Sequence, residues 1–342
     1  MSLGYQAVGW NPQKKRYDMV VLSGLITYLA VFLGLAFTWF PHITIETAII
    51  RAFGTAALIL LHVILSIGPL CRISDRFLPL LYNRRHLGVI MFTVAAVHGT
   101  MSLVQFHALG DMGILASLFT SELPYLHQGW VPFQPLGALA LLILFAMAAT
   151  SHDFWLANLT APMWKTLHSL VYVAYVCLVG HVVFGILQVE THPLWFGSLV
   201  LGAVWLTSIH LIAARKEHRL DVIQTHNAWI SCGKWSDIPE DRAVLVCGHG
   251  ERIAVFRYDG KISAVSNVCQ HQNGPLGEGK IIDGCITCPW HGYQYLPDSG
   301  QSPPPFTEKI PTFRTKLEGD IVFVQAEPLP PGTQVPPTEV PK

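Results

Sequence analysis

Residues 269–295 read CQHQNGPLGEGKIIDGCITCPWHGYQY. Two short loops stand out in this stretch, Cys269-Gln270-His271 and Cys288-Pro289-Trp290-His291, with sixteen residues between them. Each loop offers one thiolate and one imidazole. Structural zinc sites with two Cys and two His usually draw the cysteines from one loop and the histidines from another. A [2Fe-2S] centre with one iron on two thiolates and the other on two imidazoles needs one ligand of each kind from each loop. The spacing therefore predicts a one-electron carrier held by Cys269, His271, Cys288 and His291.

Outward from this stretch the composition changes. Hydrophobic residues make up 51% of the 342, only 13% are charged, and the mean hydropathy is +0.41, which departs from a soluble domain. The apolar excess lies in residues 18–213, in six stretches at about 18–40, 46–70, 84–106, 132–150, 164–188 and 193–213. Each approaches or exceeds the ~20 residues that cross a bilayer, so both termini fall on one side. Lys14, Lys15 and Arg16, then Arg72, Arg76, Arg84 and Arg85, then Lys165, then Arg215, Lys216 and Arg219 mark that side. Residues 107–131 contain no Lys or Arg, the fifth-to-sixth connection has Glu190 but no base, and only Arg51 sits at the opposite boundary. The excess of basic residues in cytoplasmic loops places both termini in the cytoplasm. The first apolar run is too long for a signal peptide and lacks a small-x-small cleavage site. Lys plus Arg and Asp plus Glu number 22 each, and this zero balance argues for no nucleic-acid partner.

After a cytoplasmic segment 1–17, the membrane part 18–213 and a linker 214–224, residues 225–327 read as one small antiparallel β domain. Alternating segments at Ala243–Val246, Arg252–Tyr258, Ile262–Ser266 and Asp320–Gln325 are separated by turn residues, with Tyr258-Asp259-Gly260 as a hairpin turn. The Pro-rich tail 328–342 reads as extended or disordered. No internal repeat stands out. Cys71 and Cys177 fall in or beside spans; Cys232, Cys247 and Cys285 read as reduced, buried thiols in a cytoplasmic domain.

Ligand-capable side chains inside spans are functional candidates, and His62, His86, His98, His168, His181 and His210 qualify. The third stretch carries His86 and His98, twelve apart, and the fifth carries His168 and His181, thirteen apart. Those separations are ~18 and ~20 Å along a helix axis. The two helices run parallel, so first can face first and second can face second. The competing reading of each is a hydrogen-bonded packing residue. Steps of twelve and thirteen residues also rotate by about 120° and 140°, off one face of an ideal helix, unless a π-bulge or a surrounding bundle absorbs the difference. His62, about nine residues from the cytoplasmic end of the second span, is the alternative to His86 as partner of His168, although His86 fits better by depth. His210 reads as interfacial, and His107, His127, His152 and His192 as ordinary loop residues. Residues 112–119 read as a short interfacial helix. Arg84 and Arg85 serve orientation, or pair with carboxylates of a bound group.

Two resemblances follow from these residues. Gly274-Pro275-Leu276, Gly292, Tyr295 and Asp298-Ser299-Gly300 around the Cys/His loops resemble Rieske [2Fe-2S] ferredoxin domains, over about 225–327. Arg84-Arg85-His86-Leu87-Gly88 leading to His98, and Trp164-Lys165-Thr166-Leu167-His168-Ser169-Leu170-Val171-Tyr172 leading to His181, resemble the ferric-reductase-like transmembrane domain over 18–213. That domain is shared by NADPH oxidases, yeast ferric reductases and the haem subunit of the bacterial methionine-sulfoxide reductase system, the last being most alike. The resemblance implies two b-type haems, with His98, His168 and His181 at ligand positions. The methionine-sulfoxide subunit has no histidine where His86 stands, whereas the oxidases have one about two residues away. The implied fold class is a six-span α-helical membrane bundle joined to a small all-β Rieske domain.

Flavin and nicotinamide modules of the eukaryotic relatives have no counterpart after residue 213, and a Rieske oxygenase would need a mononuclear iron site on a large further domain. In high-potential Rieske proteins a disulfide braces the loops and a Ser hydroxyl bonds a bridging sulfur. Gly274 and Trp290 stand in place of those cysteines and Tyr293 in place of that Ser, which implies a low potential. The reading is a membrane electron-transfer protein. A cytoplasmic reductase or ferredoxin reduces the cluster at an exposed His271 and His291 edge, and electrons pass through the haems to a periplasmic acceptor, dioxygen, a ferric chelate or quinone, across a bacterial inner membrane. The alternative is a membrane-anchored Rieske ferredoxin serving a membrane oxygenase or desaturase.

Overall fold

The computed structural model describes residues 12–341 apart from 109, 121–132, 152–154, 156–158, 160, 191, 223–227, 249, 272–273 and 291. Two compact units are present, one formed by Pro12–Ser66 and Asn83–Ser208, the other by Ile67–Tyr82 and the chain from Ile209 onward.

The helices are α1 (Pro12–Trp39), α2 (Ile45–Ile73), α3 (Arg84–His107), α4 (Ile114–Thr120), α5 (Gln134–Ala149), α6 (Ala161–Ser169), α7 (Val171–Phe184), α8 (Ile186–Val189) and α9 (Pro193–Val222). Five segments among the described residues are long and apolar enough to cross a membrane: Lys14–Trp39, Ile45–Ile73, Arg84–His107, Thr166–Val189 and Pro193–His218. The fourth apolar stretch forms only the 16-residue α5, about 24 Å long at 1.5 Å per residue. A helix suits lipid because it satisfies every backbone N–H and C=O within itself. Val20, Ile26, Val31 and Leu35 on α1 are exposed, as acyl-chain contact requires. The fifth stretch is divided at Leu170 and Gly185, the latter at φ −98° and ψ −104°. The expected helix at 112–119 forms as α4. His107 is not a loop residue: it closes α3, is 4% exposed, and shares a 2.9 Å hydrogen bond with Ser117 Oγ.

Two boundaries move. α1 already includes Pro12 to Tyr17, the described part of the expected segment 1–17. α9 continues to Val222 and takes up most of the expected linker 214–224. Its extra turns are tied down: Lys216 Nζ donates to Ile73 O at 3.1 Å, and Glu217 pairs with Arg72 at 3.3 Å and Arg252 at 3.1 Å.

The β strands are β1 (Trp229–Lys234), β2 (Arg242–Gly248), β3 (Glu251–Tyr258), β4 (Lys261–Ser266), β5 (Lys280–Ile282), β6 (Cys285–Thr287), β7 (Gln294–Tyr295), β8 (Thr312–Phe313), β9 (Thr315–Glu318), β10 (Ile321–Gln325) and β11 (Thr338–Glu339). They form three antiparallel sheets, ordered β1-β10-β9, β11-β4-β3-β2 with β8 also on β4, and β5-β6-β7. Tyr258 pairs Lys261 across a turn with Asp259 at φ 46° and Gly260 at φ 68°, the two left-handed residues that a tight hairpin favours. Side chains alternate along β3, so Ile253 and Val255 enter a core with Ile230, Ile262, Val322 and Val324, while Ala254 and Phe256 enter one with Cys269, Cys288, Tyr293 and Tyr295. None of the seven cysteines is in a disulfide, and burial pushes the Cys232 thiol up to about 12.

Of the two readings of 328–342, extended or disordered, the described residues show an extended segment that docks on the β domain. Leu329 N–H donates to Thr312 O at 2.9 Å, Val335 N–H to Asp298 O at 2.7 Å, Thr338 pairs Ile262, and Val340 is 7% exposed. Prolines lack donors, but the N–H groups between them find acceptors at the sheet edge, where proline is tolerated. Truncation after Glu327 should therefore lower the stability of the β domain by at least about 2 kcal/mol, the scale of one buried Val. Thermal melting followed by the cluster's visible absorption checks it; an unchanged midpoint would contradict the packed tail.

Candidate functional site

In the β unit, Cys269 follows β4 and its N–H donates to Gly274 O at 3.0 Å. Cys288 follows β6; its N–H donates to Tyr293 O at 2.8 Å, and Gly292, at φ 74°, donates to Cys288 O at 2.9 Å. A Cβ on Gly274 would lie 2.6 Å from Cys288 Sγ and 3.3 Å from the Trp290 ring. The two loops thus meet over a position that only glycine fits, and Gly274 and Trp290 do face each other. Cys269, Cys288 and His271 are 0, 2 and 5% exposed. His271 is therefore not on an exposed edge, because the Tyr293 ring stacks on it at 4.7 Å and 3°. His291 lies outside the described residues. Among the described residues no three His, Cys, Asp or Glu side chains form a complete metal site. The donor set of two buried thiols and His271, closed over by Gly274, fits the two-thiolate half and one imidazole of a [2Fe-2S] cluster.

Two tyrosines finish this centre. Tyr295 OH accepts from Gln270 N–H at 3.0 Å and lies 3.4 Å from Cys269 Sγ, so its hydrogen is left for the sulfur. Tyr293 instead donates to the Glu308 carboxylate. Burial raises both phenols, with Cys269 next in effect for Tyr295 and Glu308 for Tyr293; both remain protonated donors.

In the helical unit, α3 and α7 bring His98 and His181 to a ring-centroid distance of 6.3 Å with planes at 83°. His98 Nδ1 lies 2.8 Å from Ile50 O and His181 Nδ1 2.9 Å from Phe133 O. Ligating histidines commonly hold a carbonyl or carboxylate through the nitrogen that does not bind metal. With metal–nitrogen bonds of about 2 Å on each side, two imidazoles sharing one ion have centroids about 6 Å apart. The pair fits one iron between α3 and α7.

Sequence reading missed the parts that hold these rings. A Cβ on Gly54 would stand 2.8 Å from His98 Nδ1, and one on Gly137 2.6 Å from His181 Nδ1. Each glycine lies four residues after the accepting carbonyl, and each carbonyl lies 48 residues before its histidine. The site is built twice on one plan, a local repeat that apolar composition obscured.

The remaining candidates differ in their partners. His86 Nδ1 is 2.8 Å from Asp18 Oδ2. His168 Nε2 is 3.3 Å from Thr150 Oγ1, and its ring stacks on Trp164 at 3.5 Å. Arg85 Nε donates to the next carbonyl, Ser151 O, at 3.0 Å. His62 has both nitrogens engaged, Nδ1 at 2.8 Å from Leu58 O and Nε2 at 3.1 Å from Tyr175 OH. His127 and His152 lie outside the described residues.

A helical unit of membrane-spanning character joined to a cluster-binding β domain defines an integral membrane electron-transfer protein. Residues 228–314 match the Rieske [2Fe-2S] domain, and residues 53–179 match the ferric reductase like transmembrane component. The ferredoxin component of naphthalene 1,2-dioxygenase/salicylate 5-hydroxylase systems from a Ralstonia species is 31% identical over 100 residues, covering 29% of this chain and 96% of that protein. The chain belongs to the Rieske [2Fe-2S] family through this C-terminal domain. Cholesterol 7-desaturase of Ciona intestinalis is 35% identical over 89 residues, 25% of this chain and 19% of the desaturase, so the chain spans about a fifth of that relative's length. The solved ferredoxin of Sphingomonas yanoikuyae B1 aligns over 28% of this chain and 96% of its own, at 23% identity and a TM-score of 0.26.

Replacing Tyr295 by Phe removes the hydroxyl from Cys269 Sγ. Hydrogen bonds to cluster sulfur raise the potential, so Y295F should lower the cluster midpoint in a redox titration followed by electron paramagnetic resonance. An unchanged or raised midpoint would contradict the assignment.

Proposed function

We propose that the chain conducts electrons across a bacterial inner membrane, from a cytoplasmic reductase or ferredoxin to an acceptor on the far side or to quinone. Six crossings with both termini in the cytoplasm underlie this reading, supported by the placement of Lys and Arg. Cys269, His271, Cys288 and His291 hold the cluster. His98 and His181 hold the outer b-type haem; His168 and His86 hold the inner one, with His62 a packing residue. When bound, each haem supplies a one-electron carrier. The protein's part is to fix each imidazole's tautomer and to place the carriers in series.

The observation that carries this reading is the His98 and His181 pair, facing at 6.3 Å with both Nδ1 atoms on carbonyls; His98 lies inside the stretch 53–179 that matches a ferric-reductase-like component, and His181 two residues beyond its end. A second reading, a membrane-anchored ferredoxin serving an oxygenase or desaturase, is favoured by the 31% identity to a dioxygenase ferredoxin component. Haem content separates the two. The purified chain should carry two low-spin b-haems, H98A and H181A should each lose one, and H62A should lose none. A haem-free protein, or full haem content in H98A and H181A, would sink the proposal in favour of the anchor.

Gly137 supplies an independent check. Gly137→Val drives a side chain into His181 and should lose the same haem as H181A, whereas Gly24→Val, with nothing within 4 Å of its Cβ, should keep both. Equal haem content in the two variants would contradict the close packing at His181.

A further inference from the structure

Glu217 is a single carboxylate shared by two arginines from distant parts of the chain. It lies at the end of the membrane-length segment Pro193–His218, and its Oε1 meets Arg72 Nε at 3.3 Å and Arg252 Nη1 at 3.1 Å. Arg72 belongs to the last turn of α2, itself of membrane-spanning length, and Arg252 to β3. Lys216 adds a tie between the two helices, Nζ to Ile73 O at 3.1 Å. All of these residues fall in one compact unit. Arg252 also stands next to the cluster loops. Its O accepts from Asn267 N–H at 2.9 Å, and Asn267, two residues before Cys269, is 4% exposed. Asn267 Oδ1 takes Gly277 N–H at 2.7 Å and its O takes Leu276 N–H at 2.9 Å, so the first ligand loop is closed at both ends on the residue that hangs from Arg252.

Domains joined through one stretch of chain move relative to each other unless an interface stops them. The attachment at Glu217 is ionic, and its three side chains are between 27 and 32% exposed, so salt in solution weakens it. We propose that Glu217 is a positioning residue for electron transfer: by holding Arg252 to Arg72 it fixes the orientation of the β domain, and of the cluster in it, against the ends of α2 and α9. Glu217 touches no cofactor, and its part is played through charge. Removing that charge leaves two guanidinium groups side by side, which turns attraction into repulsion. Its place in the electron path rests on the function proposed above; the orientation itself does not.

The test is electron paramagnetic resonance of the reduced cluster in oriented membrane multilayers of the full chain. The cluster signal is anisotropic, so a domain held in one orientation gives a spectrum that changes as the sample is turned in the field. Wild type should show this angular dependence. Glu217→Gln should lose it while the cluster midpoint stays in place, and Arg252→Gln should lose it as well, which keeps the test decisive if one variant does not fold. In rapid mixing, haem reduction by the cluster should be slower in Glu217→Gln than in wild type. The difference should vanish as salt rises from about 0.01 to 1 M and the screening length falls from ~30 to ~3 Å. Angular dependence retained in either folded variant, its absence in wild type, or a wild-type rate indifferent to salt would overturn the role of Glu217. A haem-free protein would sink the electron path instead, and the angular dependence would still decide whether Glu217 orients the domain.

Discussion

An imidazole inside a lipid-facing bundle has to give one nitrogen to a hydrogen bond before the other can be given to a metal. Water is absent there, an unpaired N–H is expensive, and a ring left free to choose its tautomer cannot present a lone pair reliably. His98 and His181 meet this constraint with the carbonyls of Ile50 and Phe133. Everything near them follows from the need for close approach. Gly54 and Gly137 lie under the rings, where a Cβ would come within 3 Å of each imidazole, and one residue, Leu170, separates α6 from α7. His62 has Leu58 O on Nδ1 and Tyr175 OH on Nε2.

The β domain solves the same problem with backbone turns. Gly292 and Gly274 let the two ligand loops close on each other, and Tyr295, anchored by Gln270 N–H, aims its hydroxyl at Cys269 Sγ. Tyr293 is held by Glu308 and spends its ring on His271. One hydroxyl thus lies near a ligand sulfur, while the other is directed to a carboxylate.

Much of this was legible in the chain. The Cys269/His271 and Cys288/His291 spacing is covalent information, and strands such as Arg252–Tyr258 announce themselves by alternation and by Asp259-Gly260. Apolar length alone located the five membrane-length helices, while the fourth stretch forms the shorter α5. Three things were not legible. The Pro-rich tail read as extended or disordered, and only the structure tells which: Val335, Thr338 and Val340 dock it as an extended segment. The charged run after residue 213 looked like a linker, but Arg72 and Arg252 share Glu217 and hold it helical. The acceptors at Ile50 and Phe133 are backbone atoms, which leave no mark of their own; only the glycine four residues further on, repeated at both sites, could have betrayed them. Asp18 was overlooked for a different reason, since one acid beside Lys14, Lys15 and Arg16 reads as part of a charged boundary until His86 is seen against it.

The central claim is that electrons entering at the Cys269/Cys288 cluster reach the His98/His181 site. Rapid mixing of the oxidised protein with a reductant confined to the cytoplasmic face of proteoliposomes, with cluster and haem bands followed together, tests it most directly. The account predicts that the cluster is reduced first, that haem reduction follows, and that a Cys288→Ser chain lacking the cluster leaves its haems oxidised. Haem reduction at the wild-type rate in Cys288→Ser would contradict it.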